Sequence, residues 1–321
     1  MENIRESGQP QWISNNKVTW IDIQNPTREK ISLLEAHYSF HELNVDDALS
    51  KIQIPKVDSY ENQVFAIIHF PVIDKEQSMP RPTKLALFAG PDYLITIHQE
   101  ELGPLSEAFQ SCRDDPKQGE LIMGNSPGYL LHTILDLLMD DLLHILMKVE
   151  GNLDDIEDLV FDEKTAVARE ISMLRREITT IRRIVYPLKR TILVISKEIQ
   201  RFSTEDLTPY FDDVIDHIDR IVEVLDESKE TIEIFKDTDF MLSTEKSNKI
   251  LAILTILFTL SIPASVTAAY YGMNVNLPGG IETGSPTFLG EYTSLIILML
   301  VAIVPVGFMT YWFRRQGWLK A

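Results

Sequence analysis

The spacing of apolar and polar positions changes character twice along the chain. Between Val18 and Ile97 the apolar residues come in short runs. Val18-Thr19-Trp20-Ile21-Asp22-Ile23 alternates as a half-buried strand does, and 64–70, 84–88 and 93–97 are short apolar runs rich in β-branched and aromatic residues. Ala89-Gly90-Pro91-Asp92 reads as the turn of a hairpin between the last two, and Asn25-Pro26-Thr27 supplies helix-start chemistry ahead of Ile31, Leu34 and Glu35. After Ser126-Pro127-Gly128 the period becomes three and four. From Tyr129 to Phe202 there is one proline, Pro187, and one glycine, Gly151, which predicts a long helical hairpin or pair. Its first half is acidic (Asp136, Asp140, Asp141, Asp154, Asp155, Glu157, Asp158, Asp162, Glu163) and its second basic (Arg169, Arg175, Arg176, Arg182, Arg183, Lys189, Arg190). Opposite charge on successive helices predicts their antiparallel pairing, held by packing, since each surface ion pair adds only about 0–1 kcal/mol.

From Pro209 the helical pattern restarts and runs to Tyr271, about 60 residues or roughly 90 Å of helix. Tyrosine is the only ionisable residue type in 250–281 and again in 292–313. A bilayer core needs ~20 apolar residues in helix, so both runs can span one. Lys246 and Lys249 precede the first run, Arg314, Arg315 and Lys320 follow the second, and the intervening loop holds only Glu282 and Glu291. The positive-inside rule then puts both termini in the cytoplasm and the loop outside. Pro263 falls inside the first span and is expected to bend or loosen the turn before it.

Alternating steps of four and three from Asp237 pass through Met241, Thr244, Asn248, Leu251, Thr255, Phe258, Ile262, Ser265 and Ala269. That heptad-type seam is the pattern by which helices supercoil about a common axis. A stripe facing lipid has no reason to hold Asp, Asn, two Thr and a Ser, so the seam predicts a shared interior, either a conduit or a packed interface. Two spans per chain enclose little water alone; a conduit requires several copies in closed cyclic symmetry.

Composition narrows the class. The chain has 321 residues and net charge −18, with 48 acidic against 30 basic residues, which argues against nucleic acid as a partner and suits cations. The single cysteine, Cys112, excludes an intrachain disulfide or a cysteine-based metal site. Residues 1–10 are polar and lack the apolar stretch of a secretory leader, so the large N-terminal portion is expected to stay inside. No Gly-rich phosphate loop, zinc-ligand spacing or nucleophile elbow appears, and no catalytic constellation points to an enzyme. His69, His98 and His132 read as ordinary core or surface residues.

The sequence Tyr271-Gly272-Met273-Asn274 at the outer end of the first of two C-terminal spans resembles the signature of the CorA-type magnesium and divalent metal ion transporters. The likeness extends to Trp20-Ile21-Asp22-Ile23 with Asn25-Pro26, to Pro55-Lys56-Val57-Asp58-Ser59-Tyr60, to Tyr93-Leu94-Ile95-Thr96-Ile97-His98, to the acidic and basic helices and to the long stalk. It implies an α+β fold: a cytoplasmic αβα domain, a long stalk helix and two transmembrane helices, assembled as a funnel-shaped homopentamer. The expected divisions are a cytoplasmic α/β domain over 1–128, a helical hairpin over 129–208, a stalk over 209–249, spans over 250–272 and 292–313 joined by an outer loop, and a basic tail over 314–321.

The resemblance also implies site residues. Gly272, Met273 and Asn274 are expected to form the outer selectivity filter, where a hydrated cation is held; this suits magnesium, which dehydrates reluctantly. Aligned on that tripeptide, the pore face falls on Asn248, Leu251, Leu254, Ile262 and Ser265, with Leu251 and Leu254 as a hydrophobic constriction that gates by dewetting and Asp237 at the cytoplasmic mouth. Asp213, beside Asp212, corresponds to a regulatory magnesium ligand, and Asp46 and Asp47 are candidate partners for it. Glu282 is the candidate cation-attracting residue of the loop, shifted from the family's position. The implied partners are divalent cations, membrane lipid and further copies of the chain, in the inner or plasma membrane. The implied activity is magnesium uptake driven by the membrane potential and gated by internal magnesium, with no organic cofactor. Phe258, bulky for a pore position, and the loop Val275-Asn276-Leu277-Pro278-Gly279-Gly280-Ile281-Glu282, which departs from the family's usual one, leave zinc, cobalt or nickel transport by the same family open. A different class, a non-conducting membrane-anchored sensor or scaffold that binds cations or partners with its acidic domain, would need neither the polar seam nor Asn274.

Overall fold

The computed structural model describes residues 10–74, 79–99, 102–161, 167–273 and 293–317. Two compact units divide the chain, Met1–Asp237 and Thr238–Ala321.

The first unit is built on a six-stranded sheet. β1 (Gln11–Ser14), β2 (Thr19–Gln24), β3 (Lys56–Ser59), β4 (Val64–Ile73), β5 (Pro80–Ala89) and β6 (Tyr93–His98) lie in the order β1-β2-β6-β5-β4-β3. Only β2 and β6 are parallel; the other neighbours are antiparallel. β5 and β6 form the hairpin expected around Gly90. β1 and β3, both at the edges, are too short and too polar for the sequence pattern to mark them. β4 is a continuous apolar run because both of its faces are covered: Phe65 and Ile67 point into one core with Ile31 of α1 (Arg28–Glu35) and Val45 and Ala48 of α2 (Glu42–Leu49), while Ala66 and Ile68 point into the other. The second core carries the remaining helices, α3 (Gly103–Asp114), α4 (Pro116–Met123), α5 (Pro127–Val160) and α6 (Ala168–Ile199), and the start of α7 (Thr208–Tyr271). The layers are therefore helix, sheet, helix. The Thr27 side chain caps α1 by accepting from the Lys30 N–H, the start signal read in the sequence.

Between α2 and the sheet, Lys84 is only 7% exposed, and its ammonium donates to the carbonyls of Asp47, Ala48 and Ser50. It closes the C-terminal end of α2, whose last carbonyls have no partner within the helix. Burial pushes its pKa down to about 8, with Asp47 working against the shift.

α7 is continuous over 64 residues with Pro263 inside it. Its first part buries Phe211, Val214, Ile218, Ile221, Leu225, Ser228, Ile232 and Phe235, a strict alternation of three and four. The charged face of α6 turns to this helix. Arg175 pairs with Glu233 at 2.7 Å, Arg182 with Asp226, and Lys189 with Asp219. This corrects the charge pairing predicted between the acidic α5 and the basic α6. Those two helices meet through apolar residues in the common core, and among the described residues the basic side chains at 175, 182 and 189 find their carboxylates on α7. The physical reason is register: seven-residue spacing puts all three cations on one stripe of α6, and 219, 226 and 233 repeat the same spacing on α7.

The second unit contains the rest of α7 and α8 (Thr293–Arg315). Among the described residues these are the two helices long and apolar enough to cross a membrane. Among the described side chains beyond Ile250, the less exposed positions of α7 are Ile256, Thr259, Leu260, Pro263 and Thr267. Four of these, 256, 260, 263 and 267, fall in the heptad phase of the stripe buried at 211–235.

Candidate functional site

The polar seam can be placed on the helix that carries it. Asp237, Met241, Thr244, Asn248, Leu251, Thr255, Phe258, Ile262, Ser265 and Ala269 are all exposed, as is Leu254. Two residues separate the seam from the less exposed stripe, and two residues turn an α-helix by about 200°. The seam and the packed stripe therefore occupy opposite sides of α7. Thr244 and Thr255 donate their hydroxyls to the carbonyls of Phe240 (2.8 Å) and Leu251 (2.7 Å), so each is satisfied within its own helix and adds little polarity to an apolar setting. Asn248 and Ser265 supply the remaining polar side chains of this face. Asp237 is highly exposed, and its nearest cation is Lys236 at 3.7 Å.

At the C-terminal end of α7 Gly272 donates its N–H to the Ala268 carbonyl at 2.9 Å as the helix closes. A Cβ at this position would stand 3.0 Å from that carbonyl oxygen, a contact only a shift of backbone could relieve. Met273 follows, 55% exposed. Asn274 and Glu282 lie outside the described residues.

A second constellation lies in the first unit, where α5 meets α7. Gly128, at the start of α5, is held so close to the link into α7 that a Cβ would lie 2.3 Å from Leu207 Cδ1 and 2.5 Å from Ser203 Oγ. This tight approach fixes the register of the two helices: His132 packs edge-on against Tyr210 and Phe211, and one turn further Asp136 meets Asp213 and His217. One carboxylate oxygen of Asp136, one of Asp213 and a ring nitrogen of His217 all lie within 4.8 Å of one another. Nδ1 of His217 is buried and has no hydrogen-bond partner, and the same is true of Nδ1 of His132. Burial lowers the pKa of His132, with Asp136 and Asp213 opposing the shift.

Of the regulatory residues expected from the sequence, Asp213 belongs to this group and Asp212 does not. Asp46 is engaged by Arg28 at 2.8 Å and Asp47 by Lys56 at 2.6 Å. Within the chain, Asp136 is the carboxylate that lies near Asp213. Neither Asp136 nor His217 stands out in the sequence. The signal that could have found them is the i, i+4 spacing of His132 with Asp136 and of Asp213 with His217, which puts each pair on one helix face.

The same order of elements recurs in known proteins. Residues 15–315 match the profile of the family described as CorA-like Mg2+ transporter protein. The chain belongs to that family. Its relatives include the Bacillus subtilis protein YfjQ, 26% identical over 303 residues that cover 94% of this chain and 90% of that one. The cobalt/magnesium transport protein CorA of Thermotoga maritima is 24% identical over 319 residues, 98% of this chain and 85% of that one. Among solved structures, the CorA magnesium transporter of Methanocaldococcus jannaschii superposes with a TM-score of 0.77 at 21% identity, covering 96% of this chain and 94% of that one. The CorA-family member described here is thus a divalent cation transporter with an αβα domain, a long helix and two membrane-crossing helices.

Proposed function

We propose that this protein conducts magnesium into the cell through a pore formed by the seam of α7 from five copies of the chain, in the inner or plasma membrane with both termini cytoplasmic. The observation that carries the reading is the polar seam on one face of α7: Asp237, Asn248, Leu251, Ile262 and Ser265 share it and are exposed, with exposed Leu254 beside it, while the less exposed positions 256, 260, 263 and 267 lie on the opposite side. A helix that only anchored a domain would have no reason to keep polar residues on its open side. Gly272, Met273 and Asn274 form the outer filter, where one amide per subunit contacts a cation that keeps its water. Leu251 and Leu254 form the dewetting constriction, and Glu282 concentrates cations at the entrance. The membrane potential supplies about 2.3 kcal/mol per charge per 100 mV for inward movement. A divalent cation held at Asp213, with Asp212 beside it, makes the closed state responsive to internal cation by mass action.

The departing loop after Asn274 favours a second reading in the same family, transport of zinc, cobalt or nickel. Flux into liposomes holding the purified protein, measured separately for magnesium, zinc, cobalt and nickel, decides between the two. In the same assay Asn274→Ala is expected to abolish flux while the oligomer stays assembled. Near-normal magnesium flux in that variant would remove the filter assignment.

A further inference from the structure

We propose that a cavity between α6 and the open edge of β4 binds a small carboxylate with an apolar body, its acid group on Arg183 and its body against three prolines. The cavity holds about 320 Å³, within the range of small-ligand sites. Sheet topology creates it. β3 pairs with β4 only from Val64 to Ile67, so further along β4 the edge of the sheet is left without a strand among the described residues. His69 stands on this open stretch, Pro55 just ahead of β3, and Pro82 on β5. α6 covers the gap with Thr180, Arg183, Ile184 and Pro187, whose spacing puts all four on one helix face.

The lining decides the class of ligand. Pro55, Pro82, Pro187 and Ile184 offer rigid apolar surface, which suits an aryl or branched alkyl body. Ile184 is buried and Arg183 exposed, so the apolar part of the lining lies towards the core and the charge towards solvent. Among the described residues neither Arg183 nor His69 has a side-chain hydrogen bond or ion pair, which leaves both available to a polar head. On the same helix Arg175 and Arg182 are taken by acids of α7, and Arg183 stands outside that ladder. Burial, with Lys84 opposite it on β5, lowers the pKa of His69, so at neutral pH its ring offers a hydrogen bond and no charge. The guanidinium of Arg183 is then the one formal charge in the lining. It matches the single charge and planar fork of a carboxylate, whereas a phosphate dianion would keep half its charge unmatched. The site does not depend on which ion the protein transports.

The test uses the full-length chain in detergent and 4-fluorophenylacetate as the probe, read by broadening of its fluorine NMR signal against empty detergent micelles. Saturable binding of one probe per chain is expected. Arg183→Met keeps an apolar stem and removes the charge-assisted contact, so it should weaken binding by about 10-fold or more. Uncharged 4-fluorophenylacetamide should bind the parent as weakly as the acid binds that variant. Arg190→Met, on α6 but outside the lining, should bind the acid as the parent does. If Arg183→Met does not fold, Thr180→Phe, which fills the cavity and keeps every charge, decides in its place and should abolish saturable binding. Binding no greater than that of empty micelles overturns the proposal. So does parent-like affinity in Arg183→Met or Thr180→Phe, equal affinity of the parent for acid and amide, or an equal loss in Arg190→Met.

Discussion

Nε of Arg175 on α6 lies 2.7 Å from Oε1 of Glu233 on α7, the first rung of a ladder that continues with Arg182 to Asp226 and Lys189 to Asp219. Arg182 and Asp226 also share Tyr186, whose hydroxyl accepts from the guanidinium at 3.1 Å and donates to the carboxylate at 2.8 Å. The rungs climb α6 as they descend α7, so the two helices are antiparallel, and slipping one past the other by a turn would unpair every rung.

Each rung is partly solvated, and its expected contribution is small. A double-mutant cycle on Arg175→Ala and Glu233→Ala, followed by thermal unfolding in detergent, should give a coupling of about 0.2–1 kcal/mol that shrinks as salt is raised. Reversing all three acids, Asp219→Lys, Asp226→Lys and Glu233→Lys together, should loosen the start of α7 enough to expose it to protease. Protection equal to the parent's would show that the ladder contributes nothing to register.

Lys84 gives a pH signature. Its folded pKa of about 8 lies below the ordinary 10.5, so between those values the unfolded chain holds more protons than the folded one. Stability is therefore expected to rise with pH across this window, at up to about 1.4 kcal/mol per pH unit from this group. Lys84→Met should flatten that rise. Unfolding midpoints measured from below pH 8 to above pH 10 check it, and an unchanged slope in the variant would assign the dependence elsewhere.

The two sides of α7 should differ in reach between copies. Thr255→Cys on the seam is expected to form an interchain disulfide in oxidised membranes, while Leu260→Cys on the packed stripe is not. Background from Cys112 should be low, since its thiol is buried and its pKa is pushed up to about 11. Equal cross-linking at both positions would refute a seam shared among subunits.

Leu251 and Leu254 are exposed on the seam side at 59% and 44%. If they form the constriction, Leu251→Ser or Leu254→Asn should wet it and raise ion leak when internal magnesium is high. Flux measured at low and high internal magnesium tests this, and reduced flux under both conditions would favour a packing role.

The apolar spacing alone determined the long helix from Pro209 to Tyr271, both membrane-crossing runs, the central strands and the seam, because each is a repeated local pattern that no partner needs to complete. The Gly272-Met273-Asn274 motif and its position at the end of the first span were legible for the same reason. What tertiary structure decided is which pattern meets which. The basic face of α6 could have served α5 or α7 equally well by charge, and register chose α7. The short edge strands β1 and β3 owe their pairing to β2 and β4 rather than to their own composition. Asp136, Asp213 and His217, separated by up to 81 positions in sequence, come together where α5 packs against α7, near the point where Gly128 sits against Leu207 and Ser203. No periodicity within either helix contains that contact, for it depends on how two helices far apart in sequence pack against each other.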